Sequence, residues 1–225
     1  MTRLTVPVLA IGFASVMAVQ QPSLPPPFPR PNATKLLETP KIVVWDIVWP
    51  KGQPTAMHRH PHDQVGTYYA RGGRVITQPD GSKRENMTEV GNLSTTRKGT
   101  THIEEGATDP PLRAVFTELL QDNGPATPAT DTSTIARSAP KATYDDDRVT
   151  VWDVVWKSGT DALKYHASRD TVIVWLDSGK VRSVGGKGPA MADVKAGTMR
   201  YLAHDSAETL EMAEGAPRTM FFQLK

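Results

Sequence analysis

Val43-Val44-Trp45-Asp46-Ile47-Val48-Trp49 returns as Thr150-Val151-Trp152-Asp153-Val154-Val155-Trp156, with both tryptophans and the aspartate in the same places. Gly52 and Gly159 keep the same offset of 107 residues (159 − 52). Dropping one residue carries the match at an offset of 106 through His60 and His166, Gly73 and Gly179, Val75 and Val181, Gly91 and Gly197, Pro111 and Pro217, to Phe116 and Phe222. A duplication of this length decides the architecture better than local propensity does, because both copies must be folding units of one kind. Each copy reads as strand. Val43–Trp49, Thr67–Val75, Leu112–Leu119, Val149–Trp156, Thr171–Leu176 and Arg218–Leu224 are short runs rich in β-branched and aromatic residues, punctuated by Gly, Pro, Asp and Asn. Beyond the N-terminal segment no window keeps a long helical period. The expectation is an all-β chain with two small barrels in tandem, over 41–120 and 148–225.

The flanks read differently. Arg3 precedes an uncharged apolar stretch from Leu4 to Val19 that closes on small residues, the layout of a secretory signal with cleavage after Ala18. Roughly 15 apolar residues fall short of the ~20 that a bilayer-spanning helix needs. Residues 1–18 are therefore expected to be a signal peptide, leaving a periplasmic or secreted protein without a stable membrane anchor. Prolines at 22, 25, 26, 27, 29 and 31 mark 19–40 as an extended Pro-rich linker. The Pro, Ala, Thr, Ser and Asp of 121–147 mark a second linker, between the copies.

Composition narrows the chemistry. The chain has 225 residues, 38% hydrophobic and 22% charged, with a formal net charge of +2, so no excess field is available for sequence-independent nucleic-acid binding. The absence of cysteine excludes disulfides, thiolate nucleophiles and Cys-type metal sites. His, Asp, Glu and Gln remain as metal ligands. The paired tryptophans, which recur by duplication, are read as barrel core, since aromatics bury large areas. Asp46 and Asp153 are read as structural hydrogen-bonding residues, and His204 as a surface or loop residue.

Candidate ligands sit mainly in the first copy. In an extended chain His58 and His60 point to one face, and a pair at this spacing grips a divalent ion if a third ligand arrives from elsewhere. His102 offers that ligand, behind the glycine-bounded stretch Gly91 to Gly99. Gly52 with His-x-His at 58 and 60, followed by Gly91, Gly99 and His102, is similar to the two motifs of the cupin superfamily. The two-copy layout resembles a bicupin over essentially everything after Lys41.

That resemblance implies two tandem cupin-type jelly-roll β-barrels, with one divalent metal (Fe, Mn, Ni or Zn) on His58, His60 and His102. The fourth ligand of the family, usually a Glu, falls where this chain has Gln64 or Val65. Gln64 through its amide oxygen, or a water, then takes that place. His62, one of Tyr68 and Tyr69, and Glu104 or Glu105 are candidates to line a substrate pocket, the glutamates as general bases. At the offset of 106, His58 falls on Lys164, His60 on His166 and His102 on Glu208. A protonated lysine has no lone pair to give, so Lys164, His166, Asp170 and Glu208 are read as a degenerate second site filled by ion pairing.

The expected function is a metal-dependent dioxygenase acting on small oxygen-chelating molecules. The competing expectation is a non-catalytic periplasmic cupin that binds or senses a small molecule or carbohydrate, since one fold hosts both roles. The expected partners are a small-molecule ligand, no nucleic acid, and a second copy in a homodimer, an arrangement the resemblance allows.

Overall fold

The repeated Val-Val-Trp-Asp-Ile-Val-Trp run is almost continuously apolar because its strand is covered on both faces. Val43, Trp45, Ile47 and Trp49 fill the interior of the first barrel, while Ile42 and Val44 join an apolar layer shared with the second copy. In that copy Trp152, Val154 and Trp156 fill the interior, and Val149 and Val151 enter the shared layer. A strand buried on both faces loses the polar alternation of a half-exposed one. Asp46 is the polar interruption on the shared face, where it accepts the Tyr69 hydroxyl at 2.5 Å and faces Arg113 at 3.5 Å.

The structure, a computed structural model, describes residues 23–121, 142–157, 162–167, 169–184 and 190–225. The expected signal segment and most of the expected connector at 121–147 lie outside these residues. The described residues form eighteen strands and no helix. In the first copy they are β1 (Ala33–Glu38), β2 (Ile42–Trp49), β3 (His58–Arg59), β4 (Asp63–Ala70), β5 (Gly72–Thr77), β6 (Lys83–Thr88), β7 (Leu93–Thr96), β8 (Thr101–Gly106) and β9 (Leu112–Leu119). In the second they are β10 (Tyr144–Asp145), β11 (Val149–Val155), β12 (Ala162–His166), β13 (Thr171–Trp175), β14 (Gly179–Val184), β15 (Ala190–Val194), β16 (Met199–Leu202), β17 (Ala207–Glu214) and β18 (Arg218–Leu224). Each copy has a five-stranded sheet, β1-β2-β9-β4-β7 or β10-β11-β18-β13-β16, and a four-stranded sheet, β3-β8-β5-β6 or β12-β17-β14-β15. The two sheets of a copy close over its own core. The five-stranded sheets of the two copies meet back to back through Val65, Val115, Val172 and Phe222.

The ladders correct two readings of the sequence. The stretch expected as a Pro-rich linker contains β1, which pairs with β2 from Ala33 opposite Ile47 to Glu38 opposite Val43. The prolines before it lack N–H groups and cannot extend a ladder. Side chains hold them instead. Phe28 is 8% exposed and stacks on Trp45 with centroids 4.6 Å apart, a burial that contributes roughly 2–3 kcal/mol. Residues 23–32 form a strap tied to the first barrel, with Arg59 N–H donating to Pro25 O at 3.0 Å and Val48 N–H donating to Asn32 O at 2.8 Å. At the other expected linker, β10 pairs with β11, so the second barrel begins before residue 148.

The second correction concerns the repeat alignment. Its dropped residue falls after Tyr68 rather than before His58. Gly91 donates to Tyr68 O as Gly197 donates to Trp175 O, and Gly99 donates to His60 O as Asp205 donates to Ala167 O. A further residue is lost before the last strand, where Trp45 opposes Phe116 and Trp152 opposes Phe221, not Phe222.

Candidate metal centre

His58 lies on β3 directly opposite His102 on β8. His60 follows β3, with its N–H donating to Thr100 O at 2.9 Å and its carbonyl accepting from Gly99 N–H at 2.8 Å. Gly99 turns the chain with φ of 88°, a left-handed conformation open to glycine. That turn brings His102 back beside His60, which accounts for the Gly-x-x-His spacing. All three histidines are buried. Their ligand atoms lie within 4.8 Å of one another, and their ring planes are inclined by 61–87°.

The hydrogen bonding of the trio fits a cation. His58 Nδ1 donates to Ala56 O at 2.9 Å, which leaves the buried Nε2 as a lone pair without a partner. His60 Nε2 and His102 Nε2 stand 3.2 Å apart. Two nitrogens that share an ion at about 2.1 Å are separated by roughly 3.0–3.4 Å. Burial holds all three imidazoles below their ordinary pKa, His60 down to about 3 and His102 down to about 4. They are neutral donors across the physiological range.

Glu104, two residues beyond His102 on the inward face of β8, is fully engaged. Its Oε1 meets Arg74 Nη1 at 2.5 Å, and its Oε2 meets Arg30 Nη1 at 3.0 Å and the Trp49 indole N–H at 3.1 Å. Despite burial, the Arg74 and Arg30 guanidiniums hold its carboxyl well below the usual range. The expected general base is thus a permanently ionised partner of two arginines, 3.8 Å from His102 Nε2. Glu105, its expected alternative, projects to the other face of β8.

A cavity of about 470 Å³ opens beside His58. Its walls are the strap and the Val48–His58 segment, and none of His62, Tyr68, Tyr69 and Glu104 lines it. A register shift between Tyr68 and Ala70 explains where the two tyrosines go. Tyr68 packs inside the barrel, accepting from Arg74 Nη2 at 2.9 Å. Tyr69 turns to the second copy and donates to Asp46, and burial followed by that carboxylate pushes its hydroxyl pKa up.

Gln64 is buried on β4, opposite Glu118 of β9. Glu118 is buried as well and accepts the Trp45 indole N–H at 2.8 Å. Desolvation raises its pKa. The charge of the half-buried His62 acts on this carboxyl in the opposite direction. Arg30, Arg74 and Glu118 escaped the sequence reading. Arg30 sits in a stretch that looks like a spacer, and the other two carry no motif.

In the second copy other residues stand at the places of the trio. Glu208 holds the place of His102, and the residue across the ladder from it is Tyr165, not Lys164. Ala167, not His166, makes the backbone bonds that His60 makes. Glu208 accepts from Arg200 and Ser183. Asp170 is outside that site. It takes Lys41 of the first copy at 2.5 Å, together with the Tyr201 hydroxyl and the His204 N–H. The side chains of Lys164 and His166 lie outside the description. His204 is exposed.

No protein-family model matches the sequence, and no curated protein matches it. Solved structures do match. A cupin 2 conserved barrel domain protein from Leptotrichia buccalis superposes with a TM-score of 0.56 at 12% identity, covering 86% of this chain and 88% of its own. Oxalate decarboxylase from Lactobacillus farciminis, solved as a formate complex, gives 0.53 at 11%, with 82% and 77% covered. A variant of 2-hydroxyethylphosphonate dioxygenase gives 0.53 at 10%, with 81% and 69% covered. Identities this low speak for the fold alone. The chain therefore has the cupin fold, carried as two barrels in tandem, and the histidine trio belongs to the first.

Proposed function

We propose that this chain is an exported bicupin whose N-terminal barrel holds one divalent metal on His58, His60 and His102, and that it acts as a metal-dependent oxidoreductase, dioxygenase in type, on a small oxygen-chelating substrate. The observation that carries the reading is the unpartnered Nε2 of His58, held bare by its Nδ1 bond and facing two further neutral, buried imidazoles. Imidazole sets of this kind suit iron, nickel or zinc, and manganese accepts them when oxygen ligands complete the sphere. Gln64 is the residue of this chain available to add a weak amide oxygen, and water is the alternative. When bound, such a metal supplies a Lewis-acidic centre of undiminished double charge and, if it is iron or manganese, oxygen chemistry.

The protein's own groups set the rest. Three neutral ligands leave the charge to be matched by the substrate, which favours an enolate, diketone, phenolate or carboxylate. Glu104 holds Arg74 and Arg30 in place behind His102 and fixes the electrostatics of that wall. The strap and the Val48–His58 segment wall the cavity beside His58. Two structural neighbours are by name an oxalate decarboxylase and a dioxygenase, which agrees with catalysis. One observation favours a second reading, a binding or sensing protein without turnover: the carboxylate nearest the trio is locked in ion pairs and cannot accept a proton.

Elemental analysis of the native protein beside His58→Ala, with oxygen uptake over a panel of diketones and phenolates, tests both readings. Iron or manganese at one per chain, lost in the variant, together with oxygen consumption, is the expected result. Stoichiometric zinc without turnover selects the binding reading. Equal metal content in the two proteins rejects the site.

A further inference from the structure

Two of the residues lining the cavity beside His58 each carry one buried polar atom without a hydrogen-bond partner. One is His58 Nε2 and the other is Arg30 Nη2. The second is a charged donor. Arg30 spends Nη1 on Glu104, but Arg74 already faces that carboxylate at 2.5 Å, so two guanidiniums share one negative charge and a full positive charge is left over. Arg74 has the Tyr68 hydroxyl for its second nitrogen. Arg30 has no second oxygen partner; its guanidinium lies over the Phe28 and Trp49 rings, and its side chain is only 11% exposed. A buried guanidinium N–H without an acceptor is costly, and an anion in the cavity satisfies it.

The remaining walls describe the rest of the ligand. Pro25, Pro27, Pro29, Pro31 and Pro54 supply rigid apolar surface. Prolines offer no backbone N–H. Among the polar residues lining the cavity, Asn32 donates to Gln53 and the Thr55 hydroxyl accepts the Glu104 N–H, and Arg30 is the one charged side chain of the lining. About 470 Å³ lies in the range of small-molecule pockets and far exceeds what a two-carbon anion fills.

We propose that the cavity under the Pro25–Pro31 strap binds a small organic carboxylate with a flat apolar body, its carboxylate held by the Arg30 guanidinium and its body seated against the prolines. This names the substrate class of the site proposed above and rests on that reading only for what happens at the trio. Arg30 and the strap belong to the protein whether or not a metal is bound.

Calorimetric titration of the full chain after EDTA treatment tests the inference with three probes: benzoate, its neutral isostere benzamide, and acetate, an anion without the body. Benzoate is expected to bind at least about tenfold more tightly than either of the others. Arg30→Gln is expected to lose about tenfold or more in benzoate affinity and none in benzamide affinity, while Arg30→Lys keeps the preference for the anion. Equal affinity for benzoate and benzamide, undiminished benzoate binding in Arg30→Gln, or benzoate binding only in metal-loaded protein overturns it. If Arg30→Gln fails to fold, the benzoate-to-benzamide ratio in the wild type and in Arg30→Lys decides. Should the native protein hold no metal while its benzoate binding depends on Arg30, the metal reading falls and the carboxylate site stands.

Discussion

Arg148 of the second barrel reaches Asp63 of the first at 3.1 Å, and the duplicated positions repeat the contact in reverse, with Lys41 of the first barrel on Asp170 of the second at 2.5 Å. The duplicated halves thus meet with approximate two-fold reciprocity, each offering a cation at the start of its first long strand and an aspartate after the motif region. The pairs differ in burial. The Arg148 side chain is 10% exposed and also donates to the carbonyls of Leu119 and Gln121, whereas that of Lys41 is 52% exposed. Solvent screens Lys41 and leaves the second pair worth under about 1 kcal/mol, while loss of Arg148 leaves Asp63 to Arg97 at 3.3 Å and strips two carbonyls of their donor, at a cost of roughly 2–3 kcal/mol. Arg148→Ala should therefore lower the urea-unfolding free energy several times more than Lys41→Ala, and equal effects would refute this division.

Acid should destabilise the metal-free protein through the trio. His60 and His102 have folded pKa values of about 3 and 4, and that of His58 is lowered too, against an ordinary value of 6.5. Between those limits the unfolded chain binds more protons, so stability rises with pH up to about 6.5 and levels off above it. EDTA-treated protein should lose urea-midpoint stability from pH 7 to pH 5, and His60→Ala should flatten part of that slope. Metal uptake at pH 6 should release well under one proton per imidazole, measured by calorimetry in buffers of different ionisation enthalpy. Release of two or three protons would contradict the neutral trio.

What could be read from the sequence, and what could not, follows from where each contact is made. The tandem barrels were legible because both copies of the Trp-Asp-x-Val-Trp run carry one covered-strand pattern, and the trio because a glycine turn and a two-residue alternation fix local geometry. The strap was not. A run of prolines has no ladder to announce, and its anchors, Phe28 on Trp45 and Arg30 on Glu104, join residues distant in sequence. The counterparts of the histidines in the second copy were misassigned for a similar reason. Identity between His60 and His166 pulled the gap forward, and only the backbone bonds of Ala167 show where it lies.

Glu104→Gln should do more damage than a loss of one carboxylate on the surface. The amide keeps an acceptor for the Trp49 indole but leaves Arg30 and Arg74 buried without a counter-charge. The cost is expected to be about 3–5 kcal/mol. Loss of the negative charge 3.8 Å from His102 should also weaken metal binding by roughly tenfold or more, as removal of supporting charges around ligands does. Glu105→Gln, on the other face of β8, is the control. A stable Glu104→Gln protein with unchanged metal affinity would show that the arginine cluster is not coupled to the trio.

Glu118 reverses that logic. Its carboxyl is buried, no cation reaches it within ion-pair distance among the described residues, and desolvation raises its pKa above the ordinary 4.5. The folded state then binds a proton more tightly than the unfolded one, so the residue weakens the fold increasingly as pH rises from 4.5 through the folded pKa and by a constant amount beyond. Glu118→Gln removes the ionisable group and retains an oxygen for the Trp45 N–H. The variant should match the wild type in urea midpoint near pH 4.5 and exceed it at pH 8. A variant less stable than the wild type at pH 8 would mean that the ionised carboxylate is stabilised by a positive charge, with His62 the first residue to examine.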